Sequence, residues 1–153
     1  EILRCLVGSE MCIRDSLLTL QPLAALKVRQ MMTALRGLAD WRLICGLRTY
    51  DEQDKLYAKR PKVTNARGGQ SMHNFGIAAD VCLFRDGRDI WAPSEGPDSI
   101  YKPVAALAHK LGLVWGGDWR SPYDPGHVQL GSLPTATLHR AYTTGASTLA
   151  QLL

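Results

Sequence analysis

The apolar run Ile77–Phe84, followed at once by Asp86-Gly87 and then Asp89-Ile90-Trp91, constrains the fold of this chain more than any other feature. A stretch of that length reads as a strand, and Asp-Gly supplies the two-residue turn on which a strand doubles back into a hairpin. The signals on either side are helical. Upstream, Ala24, Val28, Met31, Leu35 and Leu38 fall at spacings of three and four, one stripe of an amphipathic helix that ends near Gly37 to Asp40. Downstream, Val104, Leu107 and Leu111 share a helical face, with Asp98 or Ser99 as the cap, Pro103 in the first turn and Gly112 as the stop. A hairpin bracketed by helices argues an α+β domain rather than a βαβ series: a small, mostly antiparallel sheet flanked by helices.

The remaining elements fit that frame. Trp41, Leu43, Cys45 and Leu47 alternate with Arg42, Ile44, Gly46 and Arg48, the period of a strand. Thr49-x-x-Glu52 is a capping box that opens a short helix through Gln53, Leu56 and Tyr57. Lys59–Gln70 and Pro93–Pro97 read as loops, and strand-like Leu113–Trp115 and His127–Leu130 flank a loop rich in Gly, Trp and Asp. A length of 153 residues suits one domain, and 46% hydrophobic with 21% charged residues excludes a disordered or collagen-like chain. The apolar runs are far shorter than the ~20 residues of a membrane span. Lys and Arg number 18 against 14 Asp and Glu, too mild an excess to mark a nucleic-acid binder.

The four cysteines, Cys5, Cys12, Cys45 and Cys82, include no CxxC pair and form no disulfide framework. They read as reduced thiols, with Cys45 and Cys82 as small hydrophobes inside strands. Residues 1–16 carry no period and lack the shape of a signal peptide, so they are read as a non-native or disordered leader. That leaves 17–153 as one domain, with a core over about 20–130 and a weakly helical tail over 133–153.

Three segments carry chemistry. In Ser71-Met72-His73-Asn74-Phe75-Gly76-Ile77-Ala78-Ala79-Asp80, a turn ahead of the strand can bring His73 and Asp80 to one point. Asp124-Pro125-Gly126-His127 places an acid and an imidazole across a tight turn, and Gly116-Gly117-Asp118-Trp119 is a permissive loop just upstream. Two His and one Asp form a hydrolytic zinc set, because three protein ligands leave the fourth position open for water. His73, Asp80 and His127 are the candidate ligands, and Asp124 is placed to take that water's proton. Each segment alone has a plain structural reading, a buried histidine or an Asp–His pair closing a turn. His109 and His139 exemplify it, each lying in a helical pattern without an acidic partner at ligand spacing.

Taken together, Gly46-Leu47-Arg48-Thr49 with Glu52-Gln53 and Leu56-Tyr57, Ser71-x-His73-Asn74-x-Gly76-x-Ala78-x-Asp80, Trp115-Gly116-Gly117-Asp118-Trp119 and Asp124-x-x-His127 resemble a known family. It is the zinc peptidases that include D-alanyl-D-alanine carboxypeptidases and L-alanyl-D-glutamate endopeptidases, and the endolysin-like endopeptidase branch is the better match, over about Leu20 to Leu130. The resemblance implies a single zinc-peptidase domain hydrolysing the L-Ala–D-Glu bond of peptidoglycan stem peptides by a metal-activated water. It makes Arg48 the active-site arginine that faces the oxyanion; the plain alternative is a surface salt bridge to Asp51 or Glu52. Gln53, Ser71, Asp118 and Trp119 would line the site or support it, Asp118 by orienting His127 or another ligand. Arg67, Lys62 and Arg120 are candidates for the free α-carboxylate of D-Glu. Two departures are visible: Val128-Gln129 follows the last histidine where the family has an aromatic residue, and Gly126 replaces a proline, which predicts a looser turn. A D,D-carboxypeptidase and a non-catalytic zinc-containing wall-binding module are the alternatives. Without a visible signal peptide the chain is read as made in the cytoplasm, and the resemblance implies action at the cell wall or periplasm; the mild charge argues against a nucleic-acid partner, and a monomer is assumed. The tail is either a packing helix or a small wall-contact element.

Overall fold

The computed structural model describes residues 17–91, 100–131 and 133–145. The 1–16 leader, the Pro93–Pro97 loop and the end of the tail lie outside the described residues. Among the described residues the main elements are, in order, α1 Pro22–Arg36, β1 Trp41–Cys45, α2 Tyr50–Ala58, β2 Ala78–Arg85, β3 Arg88–Ile90, α3 Lys102–Lys110, β4 Val114–Trp115, β5 His127–Gln129 and α4 Thr135–Thr144. The expected α+β class with a small antiparallel sheet is borne out, every strand pair being antiparallel.

β2 is the axis of the sheet. β1 pairs along one edge through Trp41–Leu83 to Cys45–Asp80, while the other edge is shared by β5 at residues 78–80 and β3 at 83–85. β4 closes the order β1-β2-β5-β4. The Asp86-Gly87 turn has both residues in the left-handed region, at φ 51° and 73°, as a two-residue hairpin requires.

Alternation along β2 divides the sheet into two faces. Ala79, Val81 and Leu83 join Trp41, Leu43 and Val128 in the apolar core with the buried stripe of α1 (Ala24, Val28, Met31, Met32, Leu35) and with Val104 and Ala108 of α3. Asp80 and its cross-strand neighbour His127 stand on the opposite face. Leu38 was expected in the α1 stripe, but the helix stops at Arg36 and Leu38 is 67% exposed. The α2 capping box is present in both directions between Thr49 and Glu52. The α3 cap position is Tyr101, not Asp98 or Ser99, which lie outside the described residues, and Pro103 sits in the first turn.

β1 carries the one irregularity that matters for function. Its register slips between Leu43 and Cys45, so that Cys45, not Ile44, faces Asp80. A bulged residue inverts the side-chain alternation beyond it. Cys45 therefore leaves the Trp41 face, where strict alternation places it, and joins the face of Asp80 and His127. The inert hydrophobe expected there is a site residue; Cys82 is the buried thiol.

Candidate metal centre and cleft

Cys45, Asp80 and His127 form a row across three strands, and His73 reaches the same point from the 3-10 turn Met72–Phe75. That turn is built by its own polar residues. Ser71 Oγ accepts from the His73 N–H at 3.4 Å, and Asn74 Oδ1 accepts from the N–H groups of Ser71 at 3.2 Å and Gly69 at 2.9 Å. The Asn74 amide donates to the Arg48 carbonyl at 2.9 Å, tying the turn to the end of β1. Gly76, left-handed at φ 67°, terminates it.

Hydrogen-bond partners fix which nitrogen each imidazole offers. His73 Nδ1 lies 2.8 Å from the Gly46 carbonyl, which can only accept, so Nδ1 carries the proton and Nε2 is bare. His127 is arranged the other way round. The Gln129 amide donates from Nε2 to the Gly131 carbonyl at 2.7 Å, which turns its Oε1 toward His127 Nε2 at 3.0 Å. The bare nitrogen of neutral His127 is therefore Nδ1.

Those two nitrogens and Asp80 Oδ1 converge. Both nitrogens lie 3.1 Å from the oxygen and 3.3 Å from each other. Three lone pairs at that spacing repel unless a cation or protons stand among them. Nitrogen and oxygen ligands ~2.0 Å from a tetrahedral zinc are ~3.3 Å apart, so the donor set fits such an ion. Burial pushes the Asp80 carboxyl up, but the charges and hydrogen bonds of His73 and His127 outweigh it and hold the group far below the usual carboxylate range. Burial likewise pushes His127 down, and its bond to Asp80 with the charges of Asp80 and Asp124 raises it above the ordinary imidazole value.

Asp124 borders the cluster, its carboxylate within 4.8 Å of ligand atoms on Asp80 and His127. Burial is the main cause that raises its pKa above the ordinary value, the Asp80 charge adds to it, and His127, His73 and Arg48 oppose it. The Asp124–His127 turn is not loose. The His127 N–H bonds the Asp124 carbonyl at 3.1 Å, the Gly126 carbonyl accepts from Val81 at 2.9 Å, and Trp115 Nε1 donates to the Pro125 carbonyl at 2.8 Å. A Cβ on Gly126 would stand 2.8 Å from the Val81 carbonyl oxygen, so close approach, not slack, explains the glycine. Gly116 plays the same part on the other side: a Cβ there would overlap the Asp124 carbonyl oxygen and press on His127 Cβ at 3.0 Å.

Arg48 points into the site rather than toward Asp51 or Glu52. It donates to Gln53 Oε1 at 2.9 Å and to Cys45 Sγ at 3.1 Å, and lies 3.5 Å from Asp80 Oδ2. Fully buried Gln53 is held in turn by the Ala66 carbonyl at 2.8 Å, and so braces the guanidinium. The Trp119 ring lies 5.2 Å from that of His127. Arg48, Ser71, His73, Asp80, Trp119, Asp124 and His127 all border a cleft of about 330 Å³, with Val63, Thr64 and Ala66 along one rim.

Some expectations fail. The Asp118 carboxylate meets His109 Nε2 at 2.7 Å on the exposed surface, and orients neither His127 nor another ligand. His109 thus has an acidic partner after all, and His139 bonds the Tyr50 hydroxyl at 2.8 Å. None of Arg67, Lys62 and Arg120 borders the cleft; Arg67 and Lys62 lie over the Tyr57 ring instead. Gln129 and the Trp115 indole nitrogen were missed. The two-residue step from His127 to Gln129 on one strand face is the signal that finds the first.

Three comparisons show what the chain is similar to. Residues 64–130 match a family model described as D-alanyl-D-alanine carboxypeptidase. Over 95 residues the chain is 40% identical to the peptidoglycan L-alanyl-D-glutamate endopeptidase CwlK of Bacillus subtilis (strain 168), covering 56% of this chain and 57% of that protein. The chain thus spans little more than half the length of that relative. The crystal structure of the Serratia marcescens L-Ala D-Glu endopeptidase ChiX superposes with a TM-score of 0.58 at 25% identity, covering 78% of this chain and 86% of that one. The resemblance read from the motifs is borne out by all three.

Proposed function

We propose that this chain is a zinc-dependent peptidoglycan peptidase that cuts the L-Ala–D-Glu bond of the stem peptide. The observation that carries the reading is the convergence of His73 Nε2, His127 Nδ1 and Asp80 Oδ1 beside the half-buried carboxylate of Asp124. His73, Asp80 and His127 would hold the ion, which when bound supplies a Lewis acid and lowers the pKa of water. Asp124 takes the proton of the attacking water and returns it to the leaving amine. Arg48, braced by Gln53, presents its guanidinium where negative charge develops on the carbonyl oxygen. Trp119 walls the cleft beside His127, and Ser71 holds the His73 turn. No helix among the described residues is long and apolar enough to cross a membrane.

Mass spectrometry of purified peptidoglycan after digestion, with and without chelator, tests the reading. Chelator-sensitive release of peptides that begin at D-Glu is the expected result. Loss of the terminal D-Ala alone would make the chain a D,D-carboxypeptidase, and no new ends would leave a wall-binding module. Asp124→Asn should keep zinc and lose about 10²–10⁴ of turnover; near-normal turnover would place the base elsewhere.

A further inference from the structure

Five of the basic residues cluster in one stretch of sequence, next to the loop residues that wall the cleft. Lys55, Lys59, Arg60, Lys62 and Arg67 fall within α2 and the loop after it, and no acidic residue intervenes between Lys55 and Asp80. Removing these five from the 18 basic residues leaves 13 against 14 acidic ones, so the rest of the molecule is close to neutral. The same loop supplies Val63, Thr64 and Ala66 to the wall of the cleft.

The acids nearest in sequence are committed elsewhere. Glu52 accepts from Thr49, and Asp54 Oδ1 accepts from the Gly68 N–H at 2.9 Å. Among the described residues none of the five cations enters an ion pair, and Lys55, Arg60, Lys62 and Arg67 are exposed. Lys62 Nζ and Arg67 Cζ are nevertheless gathered over a single ring, 5.0 and 4.8 Å from the Tyr57 centroid. Two cations gathered about one ring raise the local positive potential, which favours an approaching anion.

We propose that this basic rim is a docking surface for the carboxylate-bearing peptidoglycan strand, holding acidic groups of the polymer beside the cleft while one stem peptide enters it. The inference rests on the peptidase reading for the identity of the polymer, but not on turnover. Its signature is electrostatic and local: binding should weaken with salt as a Debye length of ~8 Å at 0.15 M shrinks.

The test measures sedimentation with purified sacculi, stripped of covalently attached accessory polymers, using the full chain carrying Asp124→Asn so that nothing is cut. A rim variant (Lys55→Gln, Lys59→Gln, Lys62→Gln, Arg67→Gln) is compared with a variant that removes the same charge elsewhere (Arg29→Gln, Arg88→Gln, Lys110→Gln, Arg140→Gln). Circular dichroism melts establish that both are folded. Individually weak surface contacts sum to about a tenfold loss of affinity in the rim variant, with the remote variant near the parent. Amidation of the sacculus carboxyl groups should abolish the difference. Equal losses in both variants would reduce the effect to net charge and overturn the proposal, as would equal retention or indifference to amidation. Rim-dependent binding without chelator-sensitive cleavage by the unmutated chain would fail the peptidase reading and leave the docking surface standing.

Discussion

Gln129 offers the sharpest test of how the metal ligands are set. It is 6% exposed, and its amide bridges the Gly131 carbonyl and His127 Nε2 at 2.7 and 3.0 Å. Gln129→Leu keeps the approximate volume and removes the acceptor, leaving the His127 Nε2–H buried without a partner. A hydrogen bond to a charged or metal-bound imidazole contributes about 1.5–3 kcal/mol, equivalent to about 10–100-fold in affinity. The orienting partners of metal-bound histidines independently give the same range. Removing the acceptor also frees His127 to carry its proton on Nδ1, the nitrogen that faces Asp80 and His73. Zinc affinity measured by competition with a chromophoric chelator should therefore fall about 10–100-fold in the Leu variant, and Gln129→Glu, which keeps an oxygen at that place, should rescue it. Metal-free melting curves separate this from simple misfolding. A Leu variant that binds zinc within about twofold of the parent would refute the argument that the amide selects the coordinating nitrogen.

Other consequences follow from the same geometry. Gly116→Ala drives a methyl into the Asp124 carbonyl, so it should destabilise by about 1–3 kcal/mol and reduce turnover more than zinc binding; thermal melts and zinc titration check both. Zinc at about 100 times its Kd adds ~2.7 kcal/mol to the native state, which raises Tm by about 5–10 °C in scanning calorimetry and is reversed by chelator. No shift would mean that the cluster holds protons and not a metal. The Thr49 N–H, and then its hydroxyl, hold the Glu52 carboxyl below its ordinary 4.5. A lowered folded pKa contributes stability that is present above the unfolded value and lost as pH falls through the folded one. The Tm gap between the parent and Glu52→Ala should therefore narrow below about pH 4.5, and a gap independent of pH would remove the carboxylate from the cap.

What the sequence conveyed, and what it withheld, divides along a physical line. Local rules carried far: the capping box at Thr49, the Asp86-Gly87 hairpin and the stripe of α1 all depend on neighbours within a few residues. The candidate ligands were legible because an Asp on β2 and a His on β5 need only the correct register to meet. Cys45 was misread for the complementary reason. Alternation assumes an unbroken ladder, and the bulge between Leu43 and Cys45 is a property of the pairing with β2, not of the β1 residues themselves. Asp118 was misassigned because proximity in sequence to His127 suggested a contact that the surface pair with His109 satisfies instead.

The glycine at position 126 reverses a sequence argument altogether. Replacing proline by glycine lowers local rigidity when the turn is considered alone. Here rigidity is imposed from outside: Val81 donates to the Gly126 carbonyl at 2.9 Å, and the Trp115 indole clamps the preceding carbonyl at 2.8 Å. The Val81 carbonyl also fills the space that a Cβ would need. The turn that carries both the candidate base and the last candidate ligand is thus fixed by β2 and by the start of the Gly-rich loop. A residue free in its own dihedrals is the one that permits this packing. It follows that Gly126→Ala, conservative by composition, should disturb Asp124 and His127 together, lowering zinc affinity and turnover in parallel. A variant that lost turnover while keeping zinc would show that the two ends of the turn move independently.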